Sequence, residues 1–221
     1  MKNIPLTVAL DIGNVCVRID YSRFAAIFDA QVLPGAVKAA LQDFECGRID
    51  ENSFFAGVTA AGNGKFTRAE AVEAFESVLC APVDGMREVI SSFPARNIRA
   101  YFLSDISCCH LRRTREIFPE AELVTDGVFS YTAGALKPSP QMMGGFEKKF
   151  GKPDLYTDDR RELISAAAAE FSWHTHCFTF HNPMFNFVSN LIEFLMNLLN
   201  IFPSITINHT LNIFKQNNFW S

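Results

Sequence analysis

The sequence lacks C-x-x-C cysteine pairs, basic runs and a large net charge. No two of its cysteines form a C-x-x-C pair, which disfavours a zinc site or a thioredoxin-type motif and is typical of reduced thiols. The formal net charge is only -4, and no cluster of lysine or arginine marks a basic patch. We therefore expect no nucleic-acid partner and no binding to an anionic membrane surface.

The N-terminus lacks the long apolar stretch of a signal peptide. Its apolar run, Val8-Ala9-Leu10, is short and is interrupted by Asp11, so we expect a cytoplasmic protein. A chain of 221 residues, of which 48% are hydrophobic, can bury a sizeable core. That length suits one large domain, or a core domain that carries a smaller insertion.

Short apolar runs alternate with helical patterns over much of the chain. The predicted strands are Leu6–Ile12, Ile98–Leu103, Glu122–Thr125, Leu155–Thr157 and Cys177–Phe180. The predicted helices between the later strands cover residues 107–117, 140–150 and 160–171. This alternation predicts an α/β fold with a Rossmann-like, doubly wound parallel sheet. Right-handed crossovers would place the C-terminal ends of all the strands at one edge.

Residues 20–92 break this alternation because they show helical patterns only. The candidate helices are Ser22–Ala30, Ala36–Phe44, Glu51–Ala60, Arg68–Leu79 and Asp84–Phe93. Thr67 followed by Glu70 is a capping-box signature. We interpret residues 20–92 as a helical cap inserted into a core formed by residues 1–19 and 93–182. Such a cap would exclude water and select substrates, and its phenylalanines Phe24, Phe28, Phe54 and Phe55 are candidates to line the cleft.

The C-terminal residues 183–221 differ from the rest in composition. From His181 onward there is no alanine, glycine, aspartate or arginine, but there are nine asparagines, against five in the first 180 residues. We interpret 183–221 as an atypical extension that begins with an amphipathic helix and ends in disorder. Docking on the sheet and docking on a second subunit both stay open, whereas a membrane span is disfavoured because Glu193 would lie in the apolar layer.

Four short motifs follow in an order that resembles the haloacid dehalogenase-like (HAD-like) hydrolase superfamily. They are Asp11-Ile-Gly-Asn-Val, Leu103-Ser104, Gly134-Ala-Leu-Lys137-Pro138 and Asp158-Asp159. The first motif is most similar to members of the sugar-phosphatase-like and epoxide-hydrolase-N-terminal-like branch, which carry a helical cap. The segment Phe44–Phe54 also resembles a stretch of that cap. The resemblance covers about residues 5–180.

The resemblance implies a phosphoryl-transfer site at the edge of the sheet. Asp11 would attack phosphorus and form an aspartyl-phosphate, as carboxylates do in covalent catalysis. Lys137 and Mg²⁺ would neutralise the charge of two anions that must approach each other. The metal ligands would be Asp11, the carbonyl of Gly13 and Asp159, with Asp158 as a further ligand or a hydrogen-bonding neighbour of the ligands.

The same resemblance assigns the groups that hold the substrate. Ser104 would donate a hydrogen bond to a phosphate oxygen and, with Asp11 and Lys137, form the catalytic set. Gly13, Asn14, Ser104, Asp105 and Lys137 would contact the substrate.

Three positions depart from the family pattern. Phosphatases of the superfamily usually carry a second aspartate, a general acid and base, where this chain has Gly13, and losing such a group typically costs about 10²–10⁴-fold in rate. Asp105 stands where an uncharged residue is common, so its charge must point away or meet a cation. Leu163 replaces a polar residue that would orient the metal ligands.

We therefore expect a Mg²⁺-dependent phosphatase that acts on a small phosphorylated metabolite such as a sugar phosphate. Two alternatives stay open. One is a dehalogenase-type hydrolase of 2-haloacids, in which Asp11 attacks carbon and no metal is needed. The other is a degenerate member that binds a phosphorylated ligand or a partner without turnover. A homo-oligomer formed through the C-terminal helix is also compatible with the sequence.

Overall fold

A parallel sheet is the centre of the structure, a computed structural model that describes residues 5–178. The strands are β1 (Leu6–Leu10), β2 (Val17–Ile19), β3 (Leu79–Pro82), β4 (Ile98–Ser104), β5 (Gly127–Phe129), β6 (Leu155–Asp158) and β7 (Thr175–Cys177). Five of them form one sheet in the order β5-β4-β1-β6-β7, and every neighbouring pair in it is parallel. The predicted α/β fold with a parallel sheet is confirmed.

Helices connect the strands and cover the sheet. They are α1 (Ser22–Ala26), α2 (Gly35–Glu45), α3 (Glu51–Ala61), α4 (Arg68–Glu76), α5 (Met86–Ser92), α6 (Cys108–Ile117), α7 (Ser130–Ala133), α8 (Pro140–Phe150) and α9 (Arg161–Phe171). Short 3₁₀ helices lie at Pro94–Arg96 and Pro119–Leu123. No helix of residues 5–178 is long and apolar enough to cross a membrane.

Strand β1 is buried on both of its faces. Val8, Ala9 and Leu10 are at most 1% exposed, as expected for a central strand covered by helices on either side. Ala9 belongs to a cluster with Met143 and Phe146 of α8, and with further residues of α9 and the neighbouring strands. This packing fixes the position of the residue that follows β1.

The order of the strands places three of the motif segments side by side. Leu10, the last residue of β1, lies opposite Phe102 of β4 on one side and Thr157 of β6 on the other. The chain reverses its direction of winding at β1, and ligands of such sheets bind outside the strand ends at this switch point. Asp11 follows β1, while Ser104 and Asp158 end β4 and β6.

Helices α1 to α4 enclose an aromatic core that α6 also contacts, because Cys109 belongs to it and His110 stacks on Phe75. We call this the aromatic cluster; its rings are Phe24, Phe44, Phe54, Phe55 and Phe75, and each is at most 2% exposed. The predicted capping box of Thr67 and Glu70 begins α4, with both reciprocal hydrogen bonds formed. The expectation that Phe24, Phe54 and Phe55 line a cleft is wrong, because their rings pack against one another; Phe28 packs on the same cluster.

The prediction that residues 20–92 contain helices only is wrong at β3. The helix predicted to reach Leu79 ends at Glu76, and Leu79–Pro82 pairs antiparallel with β2, which the sequence pattern also missed. Pro82 cannot donate a hydrogen bond, so it fits the end of a two-stranded ribbon and not a helix. Helix α5 begins at Met86, later than predicted, because Gly85 before it has a positive φ of 76°.

The predicted strand Glu122–Thr125 is also wrong. Pro119 starts a 3₁₀ helix that runs to Leu123, and the strand, β5, lies further along at Gly127–Phe129. A Cβ atom at Gly127 would lie 2.8 Å from the carbonyl oxygen of Phe102. The close approach of β5 to β4 therefore requires glycine where the pairing begins.

The last predicted strand, Cys177–Phe180, is misplaced: β7 is Thr175–Cys177 and does not include Phe178, while the predicted end at Phe180 lies outside the described residues. The predicted extension at 183–221, with its amphipathic helix and any oligomer formed through it, also lies outside them.

Candidate active site

Charged side chains from four segments meet at the C-terminal edge of the sheet. We call them the charged cluster: Asp11, Asp105, Lys137, Asp158, Asp159 and Arg160. Asp11 is 6% exposed and its backbone N–H donates to the carbonyl of Thr157, which ties the residue to β6. The first, third and fourth motifs are thus brought together as predicted, and Ser104 of the second motif, 1% exposed, ends the adjacent strand β4.

Lys137 connects the carboxylates of two different strands. Its Nζ lies 2.9 Å from Asp11 Oδ1 and 2.6 Å from Asp158 Oδ2, and it donates to the carbonyl of Leu103 at 2.9 Å. The side chain has no solvent exposure. Its backbone N–H donates to Asp105 Oδ1 at 2.8 Å, and a cis peptide bond joins Lys137 to Pro138. The ammonium is therefore held beside Asp11 by contacts on several sides.

Asp158 is fully buried and is surrounded by hydrogen-bond donors. Its Oδ2 accepts from Lys137 Nζ and, at 2.5 Å, from the hydroxyl of Tyr156, while Oδ1 accepts from the backbone N–H of Arg160. Burial alone would raise the pKa of Asp158, but Lys137 and these donors lower it. The residue is an ionised anchor for Lys137.

Asp159 lies beside the loop that follows β1. Its Oδ2 accepts a hydrogen bond of 3.0 Å from Nδ2 of Asn14, whose own Oδ1 accepts from the backbone N–H of Ile19. Asn14 has a positive φ of 54°, a conformation that asparagine adopts more readily than most residues. Asn14, predicted to contact the substrate, thus uses its amide to position Asp159.

Carboxylate oxygens of Asp11, Asp158 and Asp159 lie within 4.8 Å of one another. Oxygen donors of this kind are the ligands that Mg²⁺ prefers. The three residues therefore fit a divalent cation.

Asp105 is neutralised by a cation, as its position in the second motif requires. Its Oδ2 lies 2.6 Å from Nη2 of Arg160, and its Oδ1 accepts from the backbone of Lys137. Arg160 Nε is also 3.8 Å from Asp158 Oδ1. The Asp105–Arg160 pair links the second motif to the fourth.

Gly13 leaves room that a side chain of β2 fills. A Cβ atom built at Gly13 would lie 2.5 Å from Ile19 Cδ1 and 3.9 Å from Asp11 Oδ2. A side chain at residue 13 would thus point into the site, and the methyl end of Ile19 lies in its way. Ile19 therefore occupies the space that a side chain at position 13, where the family pattern has aspartate, would need. Leu163, the third departure, is 2% exposed and belongs to the core.

Burial dominates the electrostatics of Asp11. It raises the pKa of Asp11 to about 6, against the lowering effect of Lys137, and the nearby charge of Asp158 raises it further. Burial would lower the pKa of Lys137, but the negative charges of Asp11 and Asp158 outweigh it and raise the pKa. Lys137 is therefore a permanent cation, and Asp11 is a carboxylate whose charge is costly without further compensation.

Glu45, the last residue of α2, faces the charged cluster from the helical insertion. Its backbone carbonyl accepts a hydrogen bond of 2.5 Å from Ser130 Oγ, which joins α2 to α7. Burial, then the negative charge of Asp105, raises the pKa of Glu45 to about 8, against the lowering effect of Arg160. A neutral carboxyl group from the insertion therefore lies near the Asp105–Arg160 pair.

No family model and no curated protein matches the sequence. Solved structures do match. A predicted HAD-like family hydrolase from Porphyromonas gingivalis is 19% identical, with a TM-score of 0.70 over 86% of this chain and 98% of that one. A HAD family enzyme from Bacteroides thetaiotaomicron, solved as a magnesium complex, is 17% identical, with a TM-score of 0.73 over 86% and 99%. This chain has the HAD-like hydrolase fold.

The HAD-like fold confirms the predicted resemblance at the level of architecture. L-2-haloacid dehalogenase from Xanthobacter autotrophicus, solved with chloropropionic acid covalently bound, matches less well, at 11% identity and a TM-score of 0.53 over 85% of this chain and 82% of that one. The B. thetaiotaomicron enzyme has also been solved with magnesium and inorganic phosphate, a structure that matches at 16% identity and a TM-score of 0.67 over 81% of this chain and 97% of that one. Identities this low establish the fold and leave the roles of individual residues to be argued from the site.

Sequence reasoning missed three residues of the site in this HAD-like fold. They are Tyr156, Arg160 and Glu45. Arg160 directly follows the Asp158-Asp159 motif. The expectation that Asp105 meets a cation could have led to it. The sequence pattern predicts only that Tyr156 is a buried strand residue, and the structure shows that its hydroxyl donates to Asp158. Glu45 lies in the Phe44–Phe54 segment that resembles the family's cap, but nothing there predicts a contact of its carboxyl group with the site.

Proposed function

We propose that this protein is a Mg²⁺-dependent phosphatase that forms an aspartyl-phosphate on Asp11. The observation that carries the proposal is the contact of Lys137 Nζ with both Asp11 and Asp158, with Asp159 beside them. A nucleophilic carboxylate, a fixed cation and a trio of oxygen ligands are the groups that phosphoryl transfer requires.

The charge balance of the cluster supports a divalent cation. Four carboxyl groups face only two cationic side chains, Lys137 and Arg160. Asp158 already accepts from several donors, whereas Asp11 has a raised pKa that signals incomplete compensation. We assign Asp11 and Asp159, with the carbonyl of Gly13, as the protein ligands of Mg²⁺, and Asp158 as their neighbour that anchors Lys137. When bound, Mg²⁺ would supply positive charge to the phosphoryl oxygens.

The reaction then divides into two steps at one carboxylate. Asp11 attacks phosphorus, the ester P–O bond breaks, and the leaving alkoxide takes a proton from water. Water next attacks the phosphorus of the aspartyl-phosphate and releases inorganic phosphate together with the free carboxylate. Lys137 neutralises the charge of Asp11 and the phosphoryl group in both steps, and Ser104 donates to a phosphoryl oxygen.

The insertion formed by α1 to α4 is proposed as the lid of this site. Ser130 fixes the end of α2, and Glu45 there faces the Asp105–Arg160 pair. A lid at this position would exclude water during the first step and choose among small phosphorylated metabolites, including sugar phosphates. The rings of the aromatic cluster are buried in the lid and hold its helices together.

Dehalogenation of a 2-haloacid is the second candidate. It is favoured by the absence of a carboxylate at Gly13, since attack of Asp11 on carbon expels a halide that needs no proton. It leaves Asp159 without a task, however, and needs no divalent cation beside the three carboxylates. The phosphatase accounts for more of the site.

Hydrolysis of p-nitrophenyl phosphate and of a sugar-phosphate panel, with Mg²⁺ and with EDTA, tests the proposal. We expect turnover that needs Mg²⁺ and that disappears in Asp11→Asn. Chloride release from 2-chloropropionate in EDTA would favour the dehalogenase instead. Tight phosphate binding with no turnover above the Asp11→Asn control would point to a non-catalytic binding protein.

A further inference from the structure

Arg160 has more exposure than the task of neutralising Asp105 requires. Its side chain is 40% exposed, whereas the Asp105 side chain is 10% exposed and Lys137 is fully buried. Among residues 5–178, Nη1 of Arg160 has no hydrogen-bond partner, while Nη2 is held by Asp105. The guanidinium is thus anchored through Nη2, and two fifths of the side chain stays exposed.

Arg160 lies beside the carboxylates of the proposed phosphoryl site, with its Nε 3.8 Å from Asp158 Oδ1. Arg160 is close enough to Asp11 for the charge of that carboxylate to act on it, and its backbone N–H is bound to Asp158. The carboxyl group of Glu45 of α2 is close enough for the charge of Arg160 to act on it. A substrate held at Asp11 and covered by the insertion would therefore place its organic part near this guanidinium.

We propose that Arg160 is a specificity-determining residue that binds a carboxylate on the organic part of the phosphorylated substrate. This inference rests on the phosphatase function proposed above. Guanidinium groups form paired hydrogen bonds with planar carboxylates, and anchoring by Asp105 fixes the orientation before the substrate arrives. A singly charged carboxylate also suits a site already rich in negative charge better than a second phosphate would. The substrate class is thus a small phosphorylated acid.

The neighbourhood of Arg160 is compatible with an anion. Glu45, whose pKa is raised to about 8, is uncharged near pH 7 and would not repel a carboxylate. Asp105 repels it, but the same residue holds Arg160 in place at 2.6 Å.

The test compares two esters that differ in one group. In 3-phosphoglycerate a carboxylate stands where glycerol 3-phosphate has a hydroxymethyl group. We expect wild type to favour 3-phosphoglycerate by about tenfold or more in kcat/KM. Arg160→Met should lose this preference through a higher KM for the acid. Arg161→Met, at the exposed neighbouring position, is the matched control and should keep it.

A double variant separates recognition from charge neutralisation. Asp105→Asn with Arg160→Met removes both charges of the pair, so no unpaired carboxylate remains. We expect the preference for the acid, measured as the ratio of kcat/KM for the two esters, to stay lost in this variant. Restoration of the preference in the double variant would show that Arg160 only neutralises Asp105, and would overturn the inference.

The outcomes also distinguish failure of the role of Arg160 from failure of the proposed phosphatase function. Turnover of both esters by wild type without a preference for 3-phosphoglycerate would refute the role of Arg160 and leave the phosphatase intact. No turnover of either ester or of p-nitrophenyl phosphate, with Mg²⁺ present, would refute both.

Discussion

The aromatic cluster of the insertion and the charged cluster at the sheet edge are both shielded from water, but burial acts on them in opposite ways. Phe54 and Phe75 are fully buried and gain free energy from leaving water and from ring contacts. Asp11 and Lys137 are also buried, but burial costs each of them hydration free energy. Their mutual attraction offsets that cost only in part. One cluster stabilises the fold, and the other is held in place by it.

The aromatic cluster thus serves stability, and the charged cluster serves chemistry. Removing a ring should lower stability and spare chemistry, while removing a charge should abolish chemistry at a smaller cost in stability.

The largest effect is expected from Asp11→Asn. The variant should lose at least about 10³-fold in kcat, because the amide cannot attack phosphorus. Its free energy of unfolding should stay the same or rise slightly, since burial already raises the pKa of Asp11 to about 6. The first effect is measured as kcat in the presence of Mg²⁺, and the second as the free energy of unfolding in urea at pH 7. A variant that is much less stable would show that Asp11 is needed for folding, and would break the contrast.

Phe75→Ala tests the other side. Phe75 is fully buried and packs on Phe24, Phe54 and Phe55 with ring centroids 5.0 to 5.7 Å apart. We expect a loss of about 3–5 kcal/mol in the free energy of unfolding, because a cavity replaces the ring.

Below its melting temperature the Phe75→Ala variant should keep kcat for p-nitrophenyl phosphate within about threefold, with Phe75→Leu as a milder control. A fully folded variant without activity would mean that the ring also positions the site. The result therefore reports whether packing in the insertion and chemistry at the sheet edge are separable.

The two regions also differ in how far the sequence predicts them. Strands β1, β4 and β6 were predicted because short apolar runs end in a polar motif, and their shared edge follows from parallel topology alone. The contacts within the charged cluster could not be predicted in the same way. Asp105 and Arg160 are 55 positions apart, so their pairing depends on how β4 and β6 flank β1.

Short elements and side-chain directions were the other failures. β2 and β3 contain three and four residues, too few for a period-two pattern to stand out. The phenylalanines of the insertion were expected at a cleft. One sequence does not show whether the apolar face of a helix packs against other helices or lines a cleft, and here it packs.

Gly13→Asp combined with Ile19→Val should raise the rate of the proposed phosphatase. The new carboxyl group would point toward the substrate near Asp11 Oδ2, and the valine removes the methyl group that lies 2.5 Å from a Cβ at residue 13. Gly13 does not have a positive φ, so the backbone accepts aspartate.

A general acid of this kind is worth about 10²–10⁴-fold, and we expect roughly a tenfold gain in kcat because the neighbouring groups are not arranged for it. Gly13→Asn with Ile19→Val has the same bulk without the proton and should show no gain. Equal rates for the two double variants would mean that proton transfer does not limit turnover.

The smallest effect is expected at Glu45, where the two regions face each other. In the folded protein its pKa is about 8, against an ordinary value of 4.5, because of burial and the negative charge of Asp105. Between these pH values the folded state keeps a proton that the unfolded chain has lost, so rising pH favours unfolding. Glu45→Gln has no such proton to lose. Its stability relative to wild type should therefore improve by on the order of 1 kcal/mol from pH 5 to pH 8, measured by urea unfolding. Glu88→Gln, at an exposed position of α5, should show no such trend. If the two variants behave alike, Glu45 is ionised like a surface residue, and the insertion does not bury it against the charged cluster.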